Sequence, residues 1–124
     1  ERNRLQGHQG WVKSVSFSPD SKLVATGSSD NTAKLWCITG RQIAVLQHKY
    51  EVNSVSFSHD GKIVATASSD NTAKLWDITG QQIAVLPHQG VIYSVIFSRD
   101  SKLIATASSD NTAKLWDIKE QETN

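Results

Sequence analysis

Histidine, serine and aspartate recur in this chain of 124 residues in an arrangement that could carry hydrolytic chemistry. His8, His48 and His88 are spaced 40 residues apart, and an aspartate follows each of them 22 residues later. With a nearby serine, each pair could supply a nucleophile, a general base and an orienting carboxylate. A catalytic triad is needed only once, however, beside one pocket and one oxyanion hole. Because the set occurs three times, each time with a tryptophan, we favour a role in holding the fold over a hydrolase site.

The whole chain is a threefold internal repeat. Trp36, Trp76 and Trp116 keep the 40-residue spacing, and the string SSDNTAKLW occurs three times without change. Periods of this length are typical of repeat architectures in which each unit is one supersecondary structure. The elements that position the histidines and aspartates must therefore lie within a single unit.

Each unit is predicted to form four short strands. Residues 12–17 alternate as a strand does, and LVATGS, IVATAS and LIATAS are too short for a helix and rich in β-branched residues. TAKLWDI and QQIAVL are predicted as the third and fourth strands, and turn clusters such as SDNT and Asp60-Gly61 separate the strands. No apolar stripe of helical period runs beyond two turns, so no helix is predicted. Four strands joined by tight turns predict one antiparallel sheet per unit.

These units resemble WD40 repeats, which have a histidine near their start and Trp-Asp at the end of the third strand. Gly7-His8, Trp76-Asp77 and Trp116-Asp117 carry the resemblance, which covers essentially the whole chain. The family has a period of about 40 to 45 residues and four strands per blade. The implied fold class is all-β, with three four-stranded antiparallel β-propeller blades. Similar tandem WD40 arrays occur in bacterial, especially cyanobacterial, signalling proteins.

The resemblance implies a structural network of one histidine, one serine, one aspartate and one tryptophan in each blade. The carboxylate would accept hydrogen bonds from turn amides and the histidine, and the serine hydroxyl would bridge the histidine to the indole N–H. The predicted members are His8, Ser28, Asp30 and Trp36; His48, Ser68, Asp70 and Trp76; and His88, Ser108, Asp110 and Trp116. A propeller would spread the histidines too far apart to share a metal ion, so no metal or cofactor is expected. The tryptophans are expected to pack between blades.

The segment just after each histidine is the variable part of the repeat, with the sequences QGWVK, KYEVN and QGVIY. By the resemblance it lies on the top face, near the mouth of the central channel. Aromatic anchors beside a few charges suit a protein-binding patch. The predicted partner surface comprises Trp11, Lys13, Tyr50, Glu51, Asn53, Val91, Ile92 and Tyr93. The alternative is that Trp11, Val91 and Ile92 only pack against neighbouring blades.

Composition and charge narrow the possible partners. The formal charge is +1 and no basic run could track a phosphate backbone, so nucleic acid is not expected. The longest apolar stretch is about four residues against about 20 for a membrane span, and ERNRLQG lacks the apolar core of a secretory signal. Cys37, the only cysteine, stands in place of the first Trp-Asp aspartate and cannot form an internal disulfide. We interpret it as a tolerated substitution, and we expect a cytoplasmic location.

Three blades cannot close a ring and would leave two apolar faces bare. The chain ends soon after the third strand of its third unit, and residues 1–7 stand in the register of the missing fourth strand, with Leu5 as its apolar residue. We therefore predict head-to-tail self-association, in which residues 1–7 complete the last blade of a neighbouring copy. Blade numbers are then multiples of three. Small residues at Ala25, Ala65 and Ala105 favour flat packing, and hence a trimer with nine blades over a dimer with six.

The sequence predicts a single propeller segment over residues 1–124, with repeats at about 8–47, 48–87 and 88–124. Three functional hypotheses follow for this segment. The leading one is a non-enzymatic interaction scaffold that presents loops to a protein or peptide. The second is a fragment or engineered piece of a longer WD40 signalling protein, with no function beyond propeller assembly; the absent initiator methionine is compatible with both. An enzyme would need a polar cluster outside the repeats, and strand parity does not bring Lys49, Glu51 and His59 together.

Overall fold

The computed structural model describes residues 1–122 and contains three antiparallel sheets, two of four strands and one of three. Blade 1 consists of β1 (Val12–Phe17), β2 (Leu23–Ser28), β3 (Thr32–Cys37) and β4 (Gln42–Gln47). Blade 2 consists of β5 (Val52–Phe57), β6 (Ile63–Ser68), β7 (Thr72–Asp77) and β8 (Gln82–Pro87). Blade 3 consists of β9 (Ile92–Phe97), β10 (Leu103–Ser108) and β11 (Ala113–Asp117). The predicted all-β class of antiparallel blades is confirmed, with three strands in the last blade.

Tight turns join the strands because their polar side chains satisfy the turn backbone. In the turn between β5 and β6, the Asp60 carboxylate accepts hydrogen bonds from the Ser58 hydroxyl and the Lys62 amide at 2.6 and 3.0 Å. Gly61 in that turn has φ of +75°, a left-handed conformation that glycine adopts without steric cost. The Asp60-Gly61 pair therefore forms the hairpin that its sequence indicates.

A short helix, α1 (Ile118–Glu122), follows β11, although the sequence analysis predicted no helix. Blades 1 and 2 have a Thr-Gly turn at this place, with φ of +103° at Gly40 and +97° at Gly80. The third repeat has Lys119 and Glu120 instead. Because these residues favour helix over left-handed turn conformations, the chain continues as a helical turn. Among residues 1–122, no helix has the length and apolar character needed to cross a membrane.

Adjacent blades pack face to face through two equivalent apolar junctions. The faces meet because successive side chains of a strand point to opposite sides of the sheet, so that each blade has one face for each neighbour. The buried members of the first junction include Ala25, Leu35, Val52, Val55, Phe57 and Val64. Those of the second include Ala65, Leu75, Ile92, Val95, Phe97 and Ile104, which are the same positions 40 residues further on.

Residues 1–7 form no strand but lie against blade 1 in the way that β4 lies against blade 2. The Lys34 ammonium donates to the Gly7 carbonyl at 2.8 Å, just as Lys74 donates to the Gln47 carbonyl at 3.2 Å. The Asn3 amide donates to the Ile38 carbonyl at 2.8 Å and holds the start of the segment. The segment therefore occupies on blade 1 the position that the end of β4 occupies on blade 2.

Candidate functional site

A chain of four side chains spans the inside of blade 2. The His48 ring contacts the Asp70 carboxylate through Nδ1 at 2.8 Å and the Thr66 hydroxyl through Nε2 at 2.6 Å. The same hydroxyl accepts a hydrogen bond from Trp76 Nε1 at 3.0 Å. The result is an Asp70–His48–Thr66–Trp76 network of hydrogen bonds that links the segment after β4 to β6 and β7 of blade 2.

The same chain recurs in the other two blades. In blade 1, His8 contacts Asp30 at 2.9 Å and Thr26 at 2.7 Å, and Trp36 donates to Thr26 at 2.9 Å. Blade 3 repeats these contacts with distances of 2.6 to 3.0 Å between His88, Asp110, Thr106 and Trp116. Three copies within residues 1–122 fit a repeated structural element rather than one reaction centre.

The bridging hydroxyl belongs to a threonine, so the prediction for the serines is wrong. Ser28, Ser68 and Ser108 instead accept hydrogen bonds from the amides of Asp30, Asp70 and Asp110 at 3.1 to 3.2 Å. These serines shape the turn after the second strand and do not touch the indole. Trp36 pairs with Val24, so Thr26, two residues further along β2, is the diagonal neighbour of the tryptophan. Ser28 lies another two residues closer to the turn and is too far away to reach the indole.

Each aspartate of the chain is held as an anion by several donors. Burial alone would raise the pKa of Asp70, but bonds from the Thr72 hydroxyl and from His48 outweigh it and lower the pKa from the usual 3.8 to about 2. The Thr72 hydroxyl lies 2.6 Å from the carboxylate. Asp30 and Asp110 have lowered pKa values for the same combination of donors.

Burial has the opposite consequence for His48, because it disfavours the charged imidazolium. Desolvation lowers the pKa of His48, even though the bond to Asp70 and its negative charge raise it. A neutral ring with its proton on Nδ1 fits the partners, since Nδ1 then donates to Asp70 and Nε2 accepts from the Thr66 hydroxyl. Thr66 can in turn accept the indole hydrogen bond, so every group in the chain is satisfied.

We expect the fold to lose stability as the pH falls below about 6.5. The unfolded chain binds a proton at His48 near that pH, whereas the folded chain binds it only at lower pH, so stability rises with pH across that window. A second loss is expected between about pH 4 and pH 2, because the folded pKa of Asp70 lies below its unfolded value. Urea unfolding followed by circular dichroism from pH 8 to about pH 2 measures both losses.

The matched control is His59→Gln, which alters an exposed histidine in the turn between β5 and β6. This variant should keep the pH profile of the parent chain. A stability that stays flat from pH 7 to pH 5 would contradict a neutral, buried His48.

The Asp–His–Thr arrangement matches the order of a catalytic triad but lacks an accessible nucleophile. Thr66 is fully buried, and its hydroxyl is engaged by both His48 and Trp76. This hydrogen-bonded network of side chains therefore joins strands and leaves no room for a substrate carbonyl. Among the side chains that the structure describes, which exclude those of residues 120 and 122–124, no three of histidine, cysteine, aspartate or glutamate come together as metal ligands.

Three lysines connect the side-chain networks to the segment that precedes each blade. These lysines were not predicted as members of the network from the sequence. Lys34, Lys74 and Lys114 lie over the rings of Trp36, Trp76 and Trp116 at 5.6 to 5.9 Å from the ring centroids. Each ammonium also donates to the carbonyl of the residue before the histidine. The signal was present in the unchanged TAKLW string, where lysine is two residues from tryptophan and therefore on the same sheet face.

The predicted partner surface divides into exposed aromatic residues and a polar chain between blades. Trp11, Tyr50 and Tyr93 are the most exposed members, and Trp11 retains 84% of its accessible surface. Lys13 instead donates to Asn53 at 2.8 Å across the junction of blades 1 and 2. The structure therefore brings the aromatic residues to the surface, while the polar members also connect neighbouring blades.

Two further links of that polar chain reach Glu51 and blade 3. Lys13 forms an ion pair with Glu51 at 3.6 Å, and the Asn53 amide donates to the Ile92 carbonyl at 3.0 Å. The Ile92 side chain is fully buried in the junction of blades 2 and 3, so its placement on the partner surface is wrong. The register of β9 against β10 shifts between Ser94 and Ile92, and this bulge breaks the alternation of the strand, so that Ile92 turns into the core together with Val95. Val91 is half-buried.

A family model described as "WD domain, G-beta repeat" matches the chain over residues 1–37, 40–77 and 80–117. The chain belongs to the WD40 repeat family. Each matched WD40 unit begins with the segment that lies against a blade and ends with the third strand of that blade. With the repeat boundaries drawn as in the family model, residues 1–7 correspond to β4 and β8.

Curated WD40 relatives match single repeats of this chain. The chain is 56% identical over 32 residues to "Protein pleiotropic regulator PRL2" of Arabidopsis thaliana, covering 26% of this chain and 7% of the relative. It is 47% identical over 38 residues to "Small ribosomal subunit protein RACK1y" of Oryza sativa subsp. japonica, covering 31% and 11%. It is 50% identical over 40 residues to "Eukaryotic translation initiation factor 3 subunit I" of Aspergillus niger, covering 32% and 12%. The chain thus spans only a small part of the length of these relatives.

Proposed function

We propose that this chain is a non-enzymatic protein-interaction scaffold that becomes complete by head-to-tail self-association into a closed propeller. One observation carries the proposal: the outer faces of blades 1 and 3 expose the positions that the two internal junctions bury. WD40 membership supports the scaffold, as do the relatives whose names describe a pleiotropic regulator and a translation initiation factor subunit. The two outer faces and the N-terminal segment support the assembly.

The first flank consists of Val12, Val15 and Phe17 on β1. Val15 and Phe17 retain 64% and 63% of their accessible surface, whereas the equivalent residues of β5 and β9 are buried. In the internal junctions these positions contact the apolar face of the preceding blade. The first flank therefore has the shape and chemistry of a half-junction that lacks a preceding blade.

The last flank consists of Ile96, Leu103, Ala105 and Leu115 on blade 3. Leu115 retains 75% of its accessible surface, whereas Leu35 and Leu75 at the same position are fully buried. Because the repeats are nearly identical, the last flank of one copy presents the residues that the first flank of another copy needs. Contacts of this kind join two different surfaces, so every flank is covered only when the copies form a closed ring.

Residues 1–7 already stand where a closing strand is required. They cover Trp36, which is almost fully buried, as β4 covers Trp76. A groove lined by Leu5, Phe17 and Val24 opens beside the segment. In the internal junction Leu23 packs against the apolar cluster that contains Phe57 and Val64, the counterparts of Phe17 and Val24, so we expect Leu103 of a second copy to enter this groove. Docking would place residues 1–7 beside the free edge of β11 without refolding either chain.

The ring contains multiples of three blades, and we propose a trimer with nine blades over a dimer with six. Small residues at Ala25 and Ala65 let neighbouring sheets approach closely at both internal junctions, where both are fully buried. Multi-angle light scattering of the 124-residue chain tests this directly. The expected result is a single species with the mass of three chains; a monodisperse single chain would overturn self-association.

A second candidate is that these blades form part of a longer WD40 propeller. The small share of each relative that the chain covers, 7% to 12%, favours this reading. In that case further repeats of the same polypeptide cover both flanks. The 124-residue chain alone would then remain monomeric or aggregate without a defined mass.

The exposed aromatic rim of Trp11, Tyr50 and Tyr93 is the proposed contact for a protein or peptide partner. Aromatic residues at a solvent-exposed site give large contact area at low entropic cost. Peptides selected from a random library against the parent chain should bind at least about tenfold more weakly to Trp11→Ala/Tyr93→Ala. Equal binding by both proteins would exclude this rim, provided that circular dichroism shows an unchanged fold.

A further inference from the structure

Strand β9 differs from β1 and β5 at the position that faces the next blade. This position is Ser16 in blade 1, Ser56 in blade 2 and Ile96 in blade 3. Ile96 pairs with Ala105, which in turn pairs with Leu115, so the three side chains form one row across the sheet. The row belongs to the last flank.

The corresponding row of blade 1 lies inside a junction. There Ala25 and Leu35 are fully buried against blade 2. Ser16, at the inner end of the row, accepts a hydrogen bond from the Phe57 amide at 3.3 Å. The residue at this position therefore reaches across the junction to the first strand of the following blade.

The serine contact is not required at every junction. In blade 2 the Ser56 hydroxyl donates to the carbonyl of its own strand neighbour Phe57 at 3.5 Å. An apolar residue at this position can therefore replace the serine without removing an indispensable bond. In the single chain, however, Ile96 retains 59% of its accessible surface. A serine at this position would expose less apolar surface to water.

We propose that Ile96 is an apolar anchor specific to the junction between copies, where it packs against Phe17 of the next chain. This inference rests on the proposed head-to-tail assembly. Phe17 is equivalent to Phe57, the residue that Ser16 reaches, and it is itself exposed.

The physical reason lies in the difference between internal and external junctions. Blades 1, 2 and 3 are tethered by one polypeptide, so each internal junction forms at a high effective concentration. A junction between separate chains must also overcome the loss of translational and rotational freedom. Additional buried apolar surface offsets that cost, and the external junction is where the serine has become isoleucine.

The test is Ile96→Ser, which gives blade 3 the residue of the other two blades. Because the variant no longer buries an isoleucine, the dissociation constant of the junction should rise about ten- to hundredfold. Sedimentation velocity over a dilution series measures this shift. The thermal midpoint of the dissociated chain should stay the same, because Ile96 is exposed there.

The matched control is Ser56→Ile, which places the same side chain at an internal junction. It should leave the dissociation constant unchanged. If the parent chain assembles and Ile96→Ser assembles equally well, the anchor is refuted while the assembly stands. If the parent chain never assembles, the proposed function itself fails.

Discussion

Leu115→Arg is expected to abolish the proposed self-association and to leave single folded chains. Leu115 lies on β11, at the outer end of the Ile96–Ala105–Leu115 row, and is exposed in one chain, so its replacement should not disturb the fold of that chain. In the assembled ring the arginine would face Val15 and Phe17 of the next copy. Burial of an unpaired guanidinium against apolar side chains costs several kcal/mol, more than one junction can lose. Light scattering measures the mass, and circular dichroism the fold.

Val85→Arg is the matched control for this prediction. Val85 is partly exposed on β8 of the middle blade, which already has a neighbour on both sides. The same substitution there should leave the mass of the assembly unchanged. An assembled Leu115→Arg protein would show that the last flank is not the contact surface.

The direction of assembly can be tested by mixing two defective chains. Leu115→Arg keeps an intact first flank, and Val15→Arg keeps an intact last flank. Because head-to-tail contacts join one flank of each kind, the mixture should form a dimer with one functional junction at high protein concentration. A contact between two identical flanks would give no such complementation.

The strands could be predicted from sequence because the signals are local and repeated. Alternation, β-branched residues and turn clusters such as Asp60-Gly61 specify each hairpin within one repeat. Residues 1–7 precede His8 as β4 precedes His48, which indicated their place beside blade 1, whereas their pairing as a strand with the last blade of another copy stays a prediction. Only α1 was missed, since a single helical turn has no apolar period and replaces a turn that depends on glycine.

The error between Ser68 and Thr66 has a different origin. The two residues are two apart on β6, so both side chains point to the same face and parity cannot separate them. The register of β6 with β7 can: Val64 pairs with Trp76, which leaves Thr66 one diagonal step away and Ser68 two steps away. The turn SDNT implies this register, so the sequence contained the answer.

The partner surface depends on contacts that no single repeat contains. Lys13 and Asn53 lie 40 residues apart and meet only because two blades pack together. Ile92 is buried because blade 2 covers it, although its neighbour Tyr93 is exposed. Burial at the edge of a repeat therefore depends on the stacking of blades, which local patterns do not describe.

Thr66→Val is expected to lower the free energy of unfolding by about 2 to 4 kcal/mol. Valine nearly matches the shape of threonine but removes the hydroxyl that contacts both His48 and Trp76. Two buried polar groups, the ring Nε2 and the indole N–H, would then lack a partner, and each costs about 1 to 3 kcal/mol. Urea unfolding followed by circular dichroism, at a fixed protein concentration, gives the change.

Ser68→Ala distinguishes the threonine network from the one that the serines were predicted to form. Ser68 accepts from the Asp70 amide and donates to the Tyr50 carbonyl, both at 3.1 Å, but contacts neither ring. Its loss removes two hydrogen bonds of about 1 kcal/mol net each, so the cost should be about 1 to 2 kcal/mol and smaller than that of Thr66→Val. The order of the two effects is therefore decisive, since a larger cost for Ser68→Ala would mean that the serine supports the tryptophan. With threonine as the bridge, the indole fluorescence of Trp76 should respond to Thr66→Val and remain unchanged in Ser68→Ala.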